Sequence, residues 1–148
     1  MPLEYVRSFK ELRVYQKTKA VSQAVFKLSK QFPKEEMYSL TDQLRRAARS
    51  IGAQIAEAWA NRRYEKHFVS KLTDADAEQM ETQHWVGEAQ DCGYLCAADV
   101  ASLNSDLCEI GRMLNSMIEK ADSFCGPRDG ILHESTAEYF TTAPVDDR

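Results

Sequence analysis

The sequence predicts an all-α protein, an antiparallel up-and-down four-helix bundle followed by a disordered C-terminal tail. Apolar residues recur at three- and four-residue steps through most of the first 125 positions, the mark of amphipathic helices. No strand-like alternation of useful length separates these segments. The composition, 43% hydrophobic and 28% charged with only 6 Gly and 4 Pro, suits a folded helical chain. At 148 residues the chain reads as one domain, a bundle over 1–125 with a flexible tail over 126–148.

The first helix begins at about Ser8 and carries Phe9, Leu12, Val14, Ala20, Val21, Ala24, Val25, Leu28 and Phe32. Pro33 disfavours helical backbone at Phe32 and closes it. The following KEEMYS reads as a turn leading to Ser39, which with Asp42 forms an N-cap for the second helix. That helix continues to about Ala60. The third runs from near Arg63 to about Cys92, where Gly93 interrupts it, and its apolar marks are Phe68, Val69, Leu72, Ala75, Met80 and Trp85. After GYLCAAD, a fourth helix carries Val100, Leu103, Leu107, Ile110, Leu114, Met117, Ile118 and Phe124. Connections this short favour antiparallel neighbours. From Gly126 the periodicity is lost and Gly, Pro and Asp take turn-forming positions, which predicts the tail.

The net charge of -4 is unevenly placed. Residues 1–72 hold 15 Lys and Arg against 7 Asp and Glu, whereas residues 73–148 hold 4 against 16. Such polarity allows a basic face for RNA or DNA despite an acidic total. It equally allows one half of a subunit to meet the other half of its neighbour. No apolar run approaches the ~20 residues of a membrane span, and the opening MPLEYVRSFKELR lacks a signal peptide's apolar core. The expected compartment is the cytoplasm, with no membrane partner.

The second helix contains the stretch LTDQLRRAARSIGAQIAEA, Leu40 to Ala58. Leu44, Ala47, Ile51, Ile55 and Ala58 lie on one side and predict the core seam. Ala48, Gly52, Ala56 and Ala60 form a second row of small residues, which lets another helix approach closely. That helix belongs to the same chain or to another subunit, making this row the candidate oligomer interface. Gly52 inside a helix costs about 1 kcal/mol relative to Ala, so it calls for such a packing reason.

Arg45, Arg46 and Arg49 project from the remaining surface, and guanidinium donors match phosphate oxygens. At the far end of the same helix, ANRRYEKHFVSK interleaves Arg62, Arg63, Lys66, His67 and Lys71 with Tyr64 and Phe68. Basic groups attract a nucleic-acid backbone and aromatic ones stack on unpaired bases. These two stretches are the candidate nucleic-acid contacts. A solvated face and an intersubunit salt bridge are the alternative roles for the arginines.

An enzyme is not predicted. Glu81-Thr82-Gln83-His84 is an ExxH, the unit that di-iron bundles use twice, and Glu57 and Glu11 could supply further carboxylates. No second ExxH exists, so no metal and no cofactor are expected. There is no GxSxG, Walker A loop or GxGxxG. Cys92, Cys96, Cys108 and Cys125 make no CxxC and read as reduced thiols in the role of small buried apolar residues. Cys92 and Cys96, four apart on one helical face, are the pair that a metal or redox role would need.

The order FKELRVYQ, FPKEEMYSLTDQLRRAARSIGAQIAEA, NRRYEKHF, METQ and GYL resembles the four-helix-bundle family of 23S rRNA intervening-sequence proteins. The related accessory proteins of diversity-generating retroelements share that look. The similarity covers roughly Phe9 to Cys125 and departs from the family pattern at Gln54, Ala58, Ala75-Asp76 and Gln79. The resemblance implies a homopentamer without known catalytic activity. The retroelement relatives are described as binding nucleic acid and a reverse transcriptase, which implies an adaptor that could also hold a protein partner.

Overall fold

Buried positions in the long helices step alternately by three and four residues. That average of 3.5 keeps one stripe facing a neighbour along a whole helix and favours packing about 20° from antiparallel. The computed structural model describes residues 6–126. These contain four long helices, α1 (Arg13–Ser29), α2 (Asp42–Ala60), α3 (Glu65–Asp91) and α4 (Ala97–Glu119), and a single turn, α5 (Ala121–Phe124), with no strand among the described residues. In α3 the buried series is Phe68, Leu72, Ala75, Gln79, Thr82, Val86 and Ala89. It is answered in α4 by Val100, Leu103, Leu107, Ile110, Leu114 and Met117.

Helix α1 packs on α2 and α4, α2 also packs on α3, and α3 on α4, which closes a four-cornered ring. Contacts near the helix ends give the directions. Arg45, near the start of α2, reaches Ser29 at the end of α1 over 2.7 Å. Glu57, near the end of α2, pairs with Lys71 of α3 at 3.7 Å, and Phe68 near the start of α3 stacks on Phe124 beyond α4 with ring centroids 5.8 Å apart. The helices therefore run up and down alternately, the predicted architecture.

The ends differ in detail from the sequence reading. Ser8 caps a separate 3-10 turn, Phe9–Glu11, by accepting from the Lys10 amide at 3.2 Å, and Leu12 is extended before α1 starts. Ser39 does not cap α2. The 3-10 turn Lys34–Glu36 runs into a π-helical turn, Met37–Thr41, which feeds directly into α2, so there is no free helix start at Ser39. Its hydroxyl donates instead to a Glu36 carboxylate oxygen at 2.6 Å. Helix α3 does stop where predicted. Gly93 has φ 80°, its amide donates to the Gln90 carbonyl and the Tyr94 amide to the Ala89 carbonyl, both at 2.9 Å, which is the Schellman closure that favours glycine.

The core of α3 is the largest correction. Met80, counted as an apolar mark, is 62% exposed, and Trp85 is only half-buried, while Gln79 and Thr82 occupy core positions. Spacing decided which side chains face inward, and local hydrogen bonds made the polar ones tolerable. The Thr82 hydroxyl donates to the Glu78 carbonyl at 2.8 Å. The Gln79 amide donates to Asp76 at 2.9 Å, and its carbonyl accepts from Gln83 at 2.7 Å. In the same way α1 buries Thr18 and Ser29 and exposes Ala20. The tail predicted from Gly126 lies outside the described residues, apart from Gly126 itself, whose amide donates to the Arg62 carbonyl at 3.0 Å.

Candidate nucleic-acid interface

Helix α2 turns its row of small residues toward α1. Ala48 and Gly52 are buried, Ala56 is half-buried and Ala60 is exposed. A Cβ added at Gly52 would stand 3.3 Å from both Thr18 Oγ1 and Tyr15 Cε1, so the helix that approaches Gly52 is α1 of the same chain. Alongside this contact a groove of about 570 Å³ opens between the two helices. Ala48, Gly52, Ala53 and Ala56 line it from α2, with Tyr15, Thr18, Ser22 and Phe26 from α1.

Cations gather on the same side. Phe26, 37% exposed, has Lys30 Nζ and the Arg45 guanidinium each 4.8 Å from its ring centroid and the Arg49 guanidinium 5.5 Å away. Arg45 is further held by donating to Ser29 Oγ, whose hydroxyl donates to the Phe26 carbonyl at 3.1 Å. Each cation-ring contact at such a site contributes about 0.5–1 kcal/mol, and together they offset part of the repulsion between like charges. Lys19, Lys27 and Arg49 line the groove itself. Helix α1 contains four Lys and Arg and no acidic residue, whereas α3 contains seven Asp and Glu. Ion pairs among the described residues join Lys17 to Asp106 and Glu109 and Lys71 to Glu57, with His84 near Glu88. None involves Lys19, Lys27, Lys30, Arg45, Arg46 or Arg49.

The structure thus brings Arg45 and Arg49 together about Phe26, a grouping that does not include the exposed Arg46. It also adds Phe26, Lys19, Lys27 and Lys30, which the sequence reading missed. Their signal was present as FKLSK, residues 26–30, where an aromatic residue is followed by two lysines on a helix free of acids.

The second basic stretch lies roughly 16 Å further along α2, counted from Arg49 to Ala60. Two of its members serve the fold. Arg62 Nε donates to the Trp59 carbonyl at 2.8 Å, and the guanidinium covers the Trp59 ring at 3.5 Å, where burial works against its charge. Lys71 is paired with Glu57. Phe68 is fully buried and offers no face to a base, whereas Arg63, Lys66, His67 and Tyr64 are exposed.

The ExxH residues are engaged along their own helix. Glu81 accepts from Trp85 Nε1 at 3.2 Å, and the His84 ring sits edge-on to Trp85, 4.7 Å between centroids. Among the described residues no group of three or more His, Cys, Asp and Glu could hold a metal ion. The cysteine reading needs two corrections. Only Cys125 is buried, where desolvation pushes its thiol up to about 11, and Cys92, Cys96 and Cys108 are exposed. Cys92 and Cys96 do not share a helical face, because α3 closes at Cys92 and Cys96 caps the start of α4.

An all-α up-and-down bundle with one basic, grooved pair of helices is the class defined by this geometry. The profile of the 23S rRNA-intervening sequence protein family matches residues 10–116, and the chain belongs to that family. Its structure is similar to that of a Bacteroides thetaiotaomicron protein of unknown function from the S23 ribosomal protein family. The two share 29% identity at a TM-score of 0.65, over 72% of this chain and 95% of that one. No curated protein matches the chain. No helix among the described residues is long and apolar enough to cross a membrane.

Proposed function

We propose that this chain is a non-enzymatic adaptor of the cytoplasm, assembled as a homo-oligomer, which holds RNA or DNA on the face formed by α1 and α2. The observation that carries the reading is the grouping of Lys30, Arg45 and Arg49 about Phe26, beside Lys19 and Lys27, with no carboxylate paired to any of them among the described residues. Unpaired cations held at fixed spacing suit phosphates, which release condensed counterions when neutralised. The seven acidic residues of α3 support a protein partner besides.

The test replaces Arg45, Arg46 and Arg49 together with Gln. The expected result is a fall of about 2–3 in the slope of log affinity against log salt, near 0.9 for each lost phosphate contact, with helical content by circular dichroism unchanged. An unchanged slope clears these arginines of the role.

A second reading is supported by the division of charge between the helix pairs. Lys17 of α1 already bridges Asp106 and Glu109 of α4 at 3.4 and 3.0 Å, and the same attraction between copies would make the protein a self-assembling scaffold without nucleic acid. On that reading Ala60, the exposed member of the small-residue row, lies at the interface between copies. Ala60→Trp then lowers the mass measured by light scattering. The pentamer is carried by the family resemblance alone.

A further inference from the structure

Two helices that pack through a glycine need not leave a groove beside it, yet α1 and α2 do. The geometry points to this groove as a pocket for one unpaired nucleotide, its base between the helices and its phosphate on the rim cations. The inference rests on the nucleic-acid reading above. It goes beyond that reading by assigning the form of nucleic acid preferred, a single strand over a duplex.

The space, about 570 Å³, falls within the range of roughly 300–1,000 Å³ typical of small-ligand sites. One wall is a fixed aromatic ring. Phe9 and Tyr15 meet edge to face, with centroids 4.8 Å apart and planes at 84°, and an edge of Tyr15 lies against Gly52. Such a ring offers a stacking surface that every base can use. Thr18 donates its hydroxyl hydrogen to the Tyr15 carbonyl at 2.7 Å, and Ser22 donates to the Lys19 carbonyl at 3.1 Å. The half-buried Ser22 oxygen is thereby left as an acceptor on the groove, suited to the amino group of a base. Lys19, Lys27 and Arg49 line the same groove and supply charge for the phosphate attached to that base. A paired base is stacked inside its duplex and cannot enter, so only an unpaired one gains from the pocket.

The experiment is fluorescence anisotropy of the full chain with a labelled 12-nucleotide single strand and with the same strand annealed to its complement. The single strand should bind about tenfold more tightly, the gain expected from stacking one base. Ala53→Trp, at an exposed position lining the groove, should remove that preference while leaving duplex affinity and its salt slope unchanged. Ala53→Ser should keep the preference, and melting curves of both variants establish that they fold. Free adenosine monophosphate should shift the amide resonances of Ala48, Gly52 and Ala53. Equal affinity of the wild type for single strand and duplex overturns the pocket and spares the basic face. Failure to bind either one overturns both readings. A single-strand preference that survives Ala53→Trp places the unpaired base elsewhere and overturns the pocket.

Discussion

The pairs α1–α2 and α3–α4 both close over a glycine, and they differ in what surrounds it. Gly52 of α2 lies under Tyr15 and Thr18, and its surroundings open into a groove rimmed by cations that no carboxylate pairs among the described residues. Gly111 of α4 lies under Gln79, whose Nε2 would be 2.9 Å from an added Cβ and is already bonded to Asp76. In the α3–α4 seam Gln79 is held on both sides, by Asp76 and by Gln83. The α1–α2 seam instead presents exposed cations along its groove. A closed polar seam fixes register and leaves little for a ligand, whereas an open one with unmatched charge is where binding can occur.

Enlarging the two glycines should have unequal effects. Gly111→Leu must displace the buried Gln79 from two hydrogen bonds, so it should cost about 3 kcal/mol, a fall of roughly 10 °C in Tm. Gly52→Leu meets Tyr15 and Thr18 at 3.3 Å, a looser contact beside an open groove, and should cost about 1–2 kcal/mol. Equal losses in thermal unfolding would make the two seams equivalent. Next in size is Gln79→Leu. It leaves Asp76 and Gln83 without their partner but close enough to solvent to find water, and should destabilise by about 1 kcal/mol in urea unfolding.

On the open side, Phe26→Ala removes the ring that organises Lys30, Arg45 and Arg49. Polyanion affinity should fall about threefold, with a Tm change of only a degree or two, because Phe26 is partly exposed. A large loss of stability with unchanged affinity would reverse the assignment of that residue.

The smallest expected effect is at the end of the bundle opposite Gly126, where the Tyr94 hydroxyl donates to Glu36 at 2.9 Å. Hydrogen bonds from Ser39 and then Tyr94 hold the Glu36 carboxyl below its ordinary 4.5, so its contribution is present above that value and is lost on acidification. The same bond pushes Tyr94 up to about 12 from 10.0, so its contribution is present below 10.0 and is lost as the pH rises toward 12. Tyr94→Phe should therefore lower Tm slightly at neutral pH, with the difference from wild type shrinking at both extremes. A difference that stayed constant with pH would show that the bond is not the cause.

Much of the fold was legible because the helices obey one spacing rule. The core rows of α2 and α4, the stop at Gly93 and the four-helix count all follow from apolar period and turn chemistry. Gln79 and Thr82 escaped because counting apolar residues ignores polar ones. Yet Phe68, Leu72, Ala75, Gln79, Thr82, Val86 and Ala89 continue the four-three rhythm without a break, and period alone would have placed them inside and Met80 outside. Ser39 misled because a cap motif looks the same whether a helix begins there or passes through in a π turn. At the candidate site, Arg45 and Arg49 could be named from α2 alone. Their grouping with Phe26 and Lys30 depends on how α1 lies across α2, which no local pattern encodes.

If the face formed by α1 and α2 holds a polyanion, the purified protein must bind one. The most direct test is anisotropy of purified, nuclease-treated protein with a labelled structured RNA and a matched DNA duplex, from about 50 to 200 mM salt. Binding should weaken steeply across that range. Absence of binding to both at the lowest salt would contradict this and leave the division of charge to self-assembly.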